Sequence, residues 1–227
     1  GEDYLFEKID DFLNQQSFVV ANLEGPIVHN HFQTPTGSFS FSFKDDTGEL
    51  LKKHGFDLVS LANNHTLNQG DDGFLETQSW LEKAEVKYFG HPIDATNNFI
   101  DYSTVDDLPI TFAGFNETFA YDDPEAAVAT VTELAKNSTQ QIVLFMHWGN
   151  EYQLHSNKTQ EDLAHQLIDA GADLIIGAHP HVVQEVEEYN AKLIFYSLGN
   201  FIFDQYFSKD TQQGLALGIN LTESGEV

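Results

Sequence analysis

The chain repeats one pattern five times: a short apolar run that stops at a polar cluster rich in His, Asn or Glu. Phe18-Val19-Val20 leads into Asn22-Leu23-Glu24, and Leu58-Val59-Ser60-Leu61 into Asn63-Asn64-His65. Ile142 to Met146 leads into His147-Trp148-Gly149, Leu174-Ile175-Ile176 into Gly177-Ala178-His179-Pro180-His181, and Leu193 to Leu198 into Gly199-Asn200. Short runs of β-branched and aromatic residues bounded by Gly, Asn or Pro read as buried strands of a largely parallel sheet. Ligands in such sheets sit at the carboxyl ends of the strands, so the five clusters are expected to meet along one edge.

Other stretches carry the helical period. Leu5, Ile9, Phe12 and Leu13 share one face of a helix predicted over Tyr4 to Asn14. Phe39, Phe41 and Phe43 alternate with Ser40 and Ser42, the period of a strand with one buried face, and Lys44 follows. Asp46 to Lys53 predicts a short helix before Gly55, and Asp71 or Asp72 caps a longer one reaching Ala84, with Phe74, Leu75, Trp80 and Leu81 inward. Val86 to Phe89 and Ile110 to Phe115 predict short strands, with loop between Gly90 and Leu108. Pro124 opens a helix to Lys136, and another runs from Lys158 to Ala170 before Gly171. Strand is predicted again over Val182 to Val186, and over Leu215 to Leu221, entering a hairpin at Glu223-Ser224-Gly225. Alternating strands and helices with antiparallel additions imply an α/β fold, sheets inside and helices outside. No Pro/Gly/Ser linker divides the 227 residues, so a single domain over 1–227 is expected.

Composition narrows the function. The formal charge is −26, and all 10 basic residues are Lys. Such a surface repels nucleic acid and anionic membrane, both of which are held by clustered Lys and Arg. An anionic ligand would have to be held by bound cations, backbone N–H groups and a few Lys. Cys is absent, which excludes disulfides, thiolate metal sites and cysteine nucleophiles. No apolar run approaches the roughly 18 to 20 residues that span a bilayer. The chain opens at Gly1-Glu2-Asp3 directly into a helical pattern, from which an amino-terminal segment is expected to have been removed.

The strand-end clusters contain metal ligands. A hydrolytic two-metal centre needs hard or borderline ligands on several rigid strand ends and open positions for water and substrate. Glu24, Asn64, His147, His179 and His181 offer carboxylate, amide and imidazole donors of the kind that suit zinc, manganese or iron. His65, beside Asn64, would stay unligated and act as general acid. His29, His31, His91, His155 and His165 read as ordinary loop or surface histidines.

The segments Asn22-Leu23-Glu24-Gly25-Pro26, Ser60 to His65, His147-Trp148-Gly149-Asn150-Glu151-Tyr152, Gly177 to His181 and Tyr196-Ser197-Leu198-Gly199-Asn200-Phe201 together resemble the bacterial capsule-synthesis family CapA. That family is associated with poly-γ-glutamate capsules and is similar to calcineurin-like metallophosphoesterases. The resemblance runs from about Tyr4 to the carboxyl terminus. It implies a layered α/β/β/α sandwich of metallophosphoesterase type, with the family's amino-terminal Gly-Asp strand absent from this chain. It further implies Glu24 as a bridging carboxylate, Asn64, His147, His179 and His181 as ligands to one or two divalent ions (Mn, Fe or Zn), and His65 beside the reacting group. Lys44, Trp148, Glu151, Tyr152 and Asn200 would contact substrate; Trp148 and Tyr152 read equally well as caps on the core. Asn68 stands where the family commonly carries an acidic residue.

The implied function is capsule polymer biosynthesis with a metal-dependent, phosphoesterase-like hydrolase site. Its partners would be an anionic polymer such as poly-γ-glutamate or a phosphoester, together with membrane subunits of a capsule synthase. The expected location is the extracellular side of the cell membrane, with an amino-terminal anchor outside this chain. Two alternatives stand: a non-catalytic accessory subunit that holds polymer or binds the synthase, and a secreted phosphoesterase unrelated to capsules.

Overall fold

A computed structural model describes residues 2–35, 37–96, 98–119, 123–137 and 140–220. Three short strands, β1 (Val20–Asn22), β2 (Leu58–Ser60) and β3 (Lys87–Phe89), form a parallel sheet in that order. A second sheet holds β4 (Asp101–Val105), β5 (Leu108–Asn116), β6 (Gln141–His147), β7 (Leu174–Ala178), β8 (Val186–Tyr189) and β9 (Lys192–Phe195). Its order is β4-β5-β6-β7-β9-β8: the four central strands run parallel and a hairpin closes each edge.

The sheets pack face to face through Leu58, Phe89, Ile110, Phe112, Val143 and Leu174. Strand β6 shows why its sequence is apolar throughout. Val143 points into the layer between the sheets, whereas Ile142, Leu144 and Met146 point to the opposite face. A strand buried on both sides shows no polar alternation.

Among the described residues five helices lie outside the sheets: α1 (Asp10–Leu13), α2 (Thr47–Lys53), α3 (Gly70–Lys83), α4 (Pro124–Asn137) and α5 (Lys158–Ala170). Helix α3 sets Phe74 and Leu81 on the three-stranded sheet at Val59 and Leu61. Helices α4 and α5 set Val131, Leu163 and Leu167 on Leu144, Met146 and Ile175 of the larger one. This is the layered α/β/β/α arrangement expected from the sequence. Helix α5 begins at Asn157 and Gln160, whose side chains each accept from the other's backbone N–H, a reciprocal cap for two otherwise orphaned donors.

Several local expectations give way. The helix over Tyr4 to Asn14 is a 3-10 turn at Glu2–Leu5 and one α-turn, and Leu5 and Phe12 face outward while Phe6 and Leu13 are buried. Leu75, expected inward, is exposed on α3, and the residue before that helix is Gln69 rather than an Asp; Asp71 and Asp72 lie in its first turn, where negative charge suits the dipole. Phe39 to Phe43 is no strand. Only Phe43 bridges Ile27, Phe39 is exposed, and side chains of Asn68 and Gln69 bond the Phe41 backbone in place of a partner strand.

Strand β4 falls in the stretch read as loop. It pairs with β5 across Asp106 and Asp107, both at positive φ, the geometry of a tight hairpin that aspartate tolerates. Strand β8 begins where Val182 to Val186 was expected to end, because Val183 makes only an isolated bridge to Leu198. Beyond Gly214, which bridges Gly199, no strand forms among the described residues; Leu221 and the hairpin at Glu223-Ser224-Gly225 lie outside them.

Candidate functional site

The sheet registers bring the polar clusters together. Asn116 pairs with His147 and His147 with Ala178, so the loop carrying His179 and His181 leaves β7 beside the end of β6. The smaller sheet closes onto this edge at Gly114 of β5. A Cβ there would stand 2.9 Å from Ser60 Oγ and 3.1 Å from Ala62 Cβ, so only glycine lets the Asn63-Asn64-His65 loop come so near β6.

Glu24 is the hub. Its Oε1 lies 3.6 Å from His181 Nε2, 3.9 Å from His147 Nε2 and 4.0 Å from His65 Nε2, and it is buried without a hydrogen-bond partner. The other oxygen is held: Asn22 Nδ2 donates to Glu24 Oε2, and Asn63 Nδ2 donates to Asn22 Oδ1 and to the Leu23 carbonyl. Burial pushes the Glu24 carboxyl up to about 7; the nearby charge of His181 and the Asn22 hydrogen bond oppose this, and Glu151 adds to it.

The imidazoles are oriented by amides. Asn200 Nδ2 donates to Gln205 Oε1 and to the Thr211 carbonyl, so Asn200 Oδ1 is left to accept from His181 Nδ1 at 2.9 Å. In neutral His181 the proton is therefore on Nδ1, and the Nε2 lone pair faces Glu24. The same logic holds for His65. Asn68 Oδ1 accepts from the Phe41 N–H and from His65 Nδ1, again leaving Nε2 toward Glu24. His147 Nε2 stands 2.8 Å from Asn64 Oδ1, and the Nδ1 atoms of His147 and His179 are buried without partners.

Burial holds the His147 pKa well below the usual histidine value and takes His179 down to about 4, with neighbouring imidazoles reinforcing both shifts. It lowers His65 as well, against the Asn68 hydrogen bond. At neutral pH these three rings are uncharged, the form that donates a lone pair to a metal. His179 and His181 both have positive φ, a conformation non-glycine residues rarely adopt and one found at functional sites.

The remaining sequence-predicted residues divide. Glu151 comes within 4.8 Å of ligand atoms of His179 and His181. Tyr152 stacks on His181, meets Phe207 edge-on and accepts from Gln205 Nε2, so it lines the site. Asn200 acts behind His181 through the bond just described. Trp148, expected to contact substrate, is a core residue: it is 1% exposed, packs on Tyr196 and donates its indole N–H to the Tyr196 carbonyl. Lys44 is paired with Glu2 at the surface. The histidines read as ordinary stay away from Glu24: His29 pairs with Asp45, His31 bonds Ser42, His155 pairs with Glu185, His165 stacks on Tyr189, and His91 accepts from the backbone at Ile93 and Asp94.

Residues given no site role from the sequence complete the surroundings. Asn22 and Asn68 fix Glu24 and His65, Phe41 packs on His65, and Phe203 packs on His181 while meeting Phe41 edge-on. Asn22 sits two residues before Glu24, and Asn68 three after His65. Proximity was the only signal for Asn22; Asn68 also stands where the resembled family commonly carries an acidic residue.

Residues 1–205 match the family model described as bacterial capsule synthesis protein PGA_cap. The chain is 30% identical to the capsule biosynthesis protein CapA of Bacillus anthracis over 99% of its length, and 30% identical to the PGA biosynthesis protein CapA of Bacillus subtilis (strain 168) over 95%. It spans 59% and 60% of those relatives' lengths. A probable polyglutamine synthesis accessory protein of Mycobacterium tuberculosis is 24% identical over 65% of this chain and 45% of its own. Among solved structures, a hypothetical protein from Thermus thermophilus superposes with a TM-score of 0.59 at 19% identity, covering 86% of this chain and 70% of that one, which is a likeness of fold. The family match over most of the sequence and the two 30% identities make this chain a member of the bacterial capsule synthesis family PGA_cap, to which CapA belongs.

Proposed function

We propose that this chain is the metal-dependent, hydrolase-like domain of a capsule biosynthesis protein, acting on an anionic polymer such as poly-γ-glutamate or on a phosphoester. The observation that carries the proposal is Glu24 Oε1, buried and unpartnered, with three imidazole Nε2 atoms between 3.6 and 4.0 Å away. A buried carboxylate oxygen facing imidazole nitrogens calls for a positive charge among them, supplied by a proton on Glu24 in the metal-free chain and by a cation when one is bound. Ligands about 2.0 to 2.2 Å from one ion stand roughly 3 to 4 Å apart. The distances from Glu24 Oε1 to the individual rings match that spacing pair by pair, while the set whose ligand atoms all lie within 4.8 Å of one another is Glu151, His179 and His181.

Glu24, Asn64, His147, His179 and His181 are the residues that would hold one or two manganese, iron or zinc ions, mixed oxygen and imidazole donors that suit such borderline metals. When bound, these ions supply Lewis-acid charge and acidify water. The chain's own residues do the rest. Asn22 and Asn63 hold Glu24 in place, Asn200 aims His181, and Asn64 braces His147. His65 Nε2, at the same hub, is the group that would first take up a proton and then pass it to the departing oxygen or nitrogen; burial lowers its pKa and makes the imidazolium so formed a stronger acid.

The capsule assignment draws on family membership and on the named functions of the CapA relatives. In this reading the domain works on the extracellular side of the membrane beside the synthase subunits. The likeness of site chemistry to calcineurin-like metallophosphoesterases supports the hydrolase assignment. A second reading, a non-catalytic subunit that holds polymer, is favoured by one observation: Lys44, the cation expected at the cleft, is paired with Glu2.

Metal content after dialysis against manganese or zinc, measured together with turnover of phosphodiesters, phosphomonoesters and γ-glutamyl peptides, tests the assignment. Bound metal with turnover, both lost in the His179→Ala/His181→Ala double variant, is the expected result. Full metal stoichiometry in that variant would defeat it. Polymer binding without turnover would support the accessory role.

A further inference from the structure

Glu24 is not the only carboxylate beside the histidines. Glu151, His179 and His181 each offer a ligand atom, and these atoms all lie within 4.8 Å of one another. His181 is thus shared: its Nε2 faces Glu24 Oε1 at 3.6 Å, and it belongs to the set with Glu151 and His179. His179 has a buried Nδ1 with no partner, and its ring lies 5.0 Å from that of His147 and 6.1 Å from that of His181.

The loop that carries Glu151 is fixed against the His-Pro-His loop. Trp148 N–H donates to the Ala178 carbonyl, and Tyr152 N–H donates to the Pro180 carbonyl at 2.8 Å. Gly149 turns the chain at a φ of 84°, where a Cβ would stand 2.5 Å from the Gln160 side chain. Tyr152, at positive φ, lays its ring on His181. The segment between two strand ends is therefore stitched to the ligand loop on both sides of Glu151. The Glu151 carboxylate interacts with the Tyr152 hydroxyl beside it, which keeps it on the His181 side of the loop.

We infer that Glu151 is a metal ligand, supplying the second ion of the centre with its own carboxylate alongside His179 and His181. The inference rests on the metal centre proposed above and extends it from one carboxylate to two. Two divalent ions bring a charge of +4, and one carboxylate leaves most of that uncompensated in a pocket whose other donors are imidazoles and an amide. A second carboxylate, open to solvent on one side, lowers the cost of loading the second ion and leaves room for water and substrate. The ligand class is a borderline divalent cation, because a set of two imidazoles and one carboxylate favours zinc, manganese or iron(II) over calcium or magnesium.

The test is metal binding itself, independent of turnover. Manganese and zinc chloride are titrated calorimetrically into the metal-stripped full chain, and bound metal per chain is counted by elemental analysis, for wild type, Glu151→Gln, Glu24→Gln and His147→Ala. Glu151 is exposed, so Glu151→Gln is expected to fold, as far-UV circular dichroism would verify. The expected result is two ions per wild-type chain, with one of them lost or bound at least 10-fold more weakly in Glu151→Gln. Wild-type stoichiometry and affinity in Glu151→Gln, with binding lost in His147→Ala, would overturn the role of Glu151 and leave the metal centre standing. No divalent binding by wild type would overturn both.

Discussion

His181 Nε2 and Glu24 Oε1 face each other at 3.6 Å, too far for a hydrogen bond. His181 Nδ1–H is committed to Asn200, which turns the Nε2 edge of the ring toward Glu24. A carboxylate and a lone pair aimed at one another favour a proton or a cation between them. Asn200 sets this arrangement from behind, so Asn200→Ala is expected to weaken manganese or zinc binding about 10- to 100-fold while leaving the fold intact. Calorimetric titration checks this; unchanged affinity would mean that His181 needs no such orientation.

Glu24 makes the metal-free protein sensitive to pH in a defined sense. Its carboxyl is pushed from 4.5 up to about 7 by burial, so between those values the folded chain holds a proton that the unfolded chain releases. The stabilisation is complete below pH 4.5 and is lost as pH rises through 7. Glu24→Gln cannot titrate. With a chelator present, wild type should lose up to about 3 kcal/mol relative to Glu24→Gln between pH 4.5 and pH 8. Urea midpoints at the two pH values measure it, and a pH-independent difference would contradict the burial argument. The opposite contribution of His179, whose stabilisation is present above 6.5 and lost as pH falls through about 4, is the same in both proteins and cancels.

His65 is tuned by a neutral neighbour. Asn68 Oδ1 accepts from His65 Nδ1 at 3.0 Å, and burial is the dominant influence, lowering the pKa. An aspartate at 68 would place a negative charge on the same nitrogen. Asn68→Asp is therefore expected to raise the His65 pKa by about 1 or more, read from NMR titration of the ring. In an active enzyme the rate maximum should move to higher pH with it. A static His65 resonance would show that the contact at Nδ1 is not maintained.

Gly177 is a test of the strand-end geometry. A Cβ there would stand 1.9 Å from the Tyr196 carbonyl oxygen and 2.7 Å from Trp148 Nε1, so β7 and the strand beside it would have to part just before the His-Pro-His loop. Gly177→Ala is expected to cost about 3 kcal/mol or more and to abolish metal binding. Gly218→Ala, where an added Cβ meets nothing within 4 Å, should stay within about 0.5 kcal/mol of wild type. Equal denaturation midpoints for the two variants would refute the close approach.

The sequence by itself determined the layered class, the helices α2 to α5 and the identity of the converging clusters. These rest on local facts: a strand buried on both faces must be apolar for its whole length, as Ile142 to Met146 is, and a polar cluster at its end can only lie at the sheet edge. It did not determine the fate of Phe39 to Phe43, whose alternation fits a strand but whose backbone is taken up by Asn68 and Gln69, or the Asp106-Asp107 hairpin that makes β4. Nor did it reveal that Trp148 belongs to the core and Glu151 to the histidines, though the two are three residues apart. Those outcomes depend on which side of a loop faces which strand end. Only the closure of two sheets at Gly114 fixes that, because distances of 3 to 4 Å between residues as far apart as Glu24 and His181 are set by packing and by no local preference.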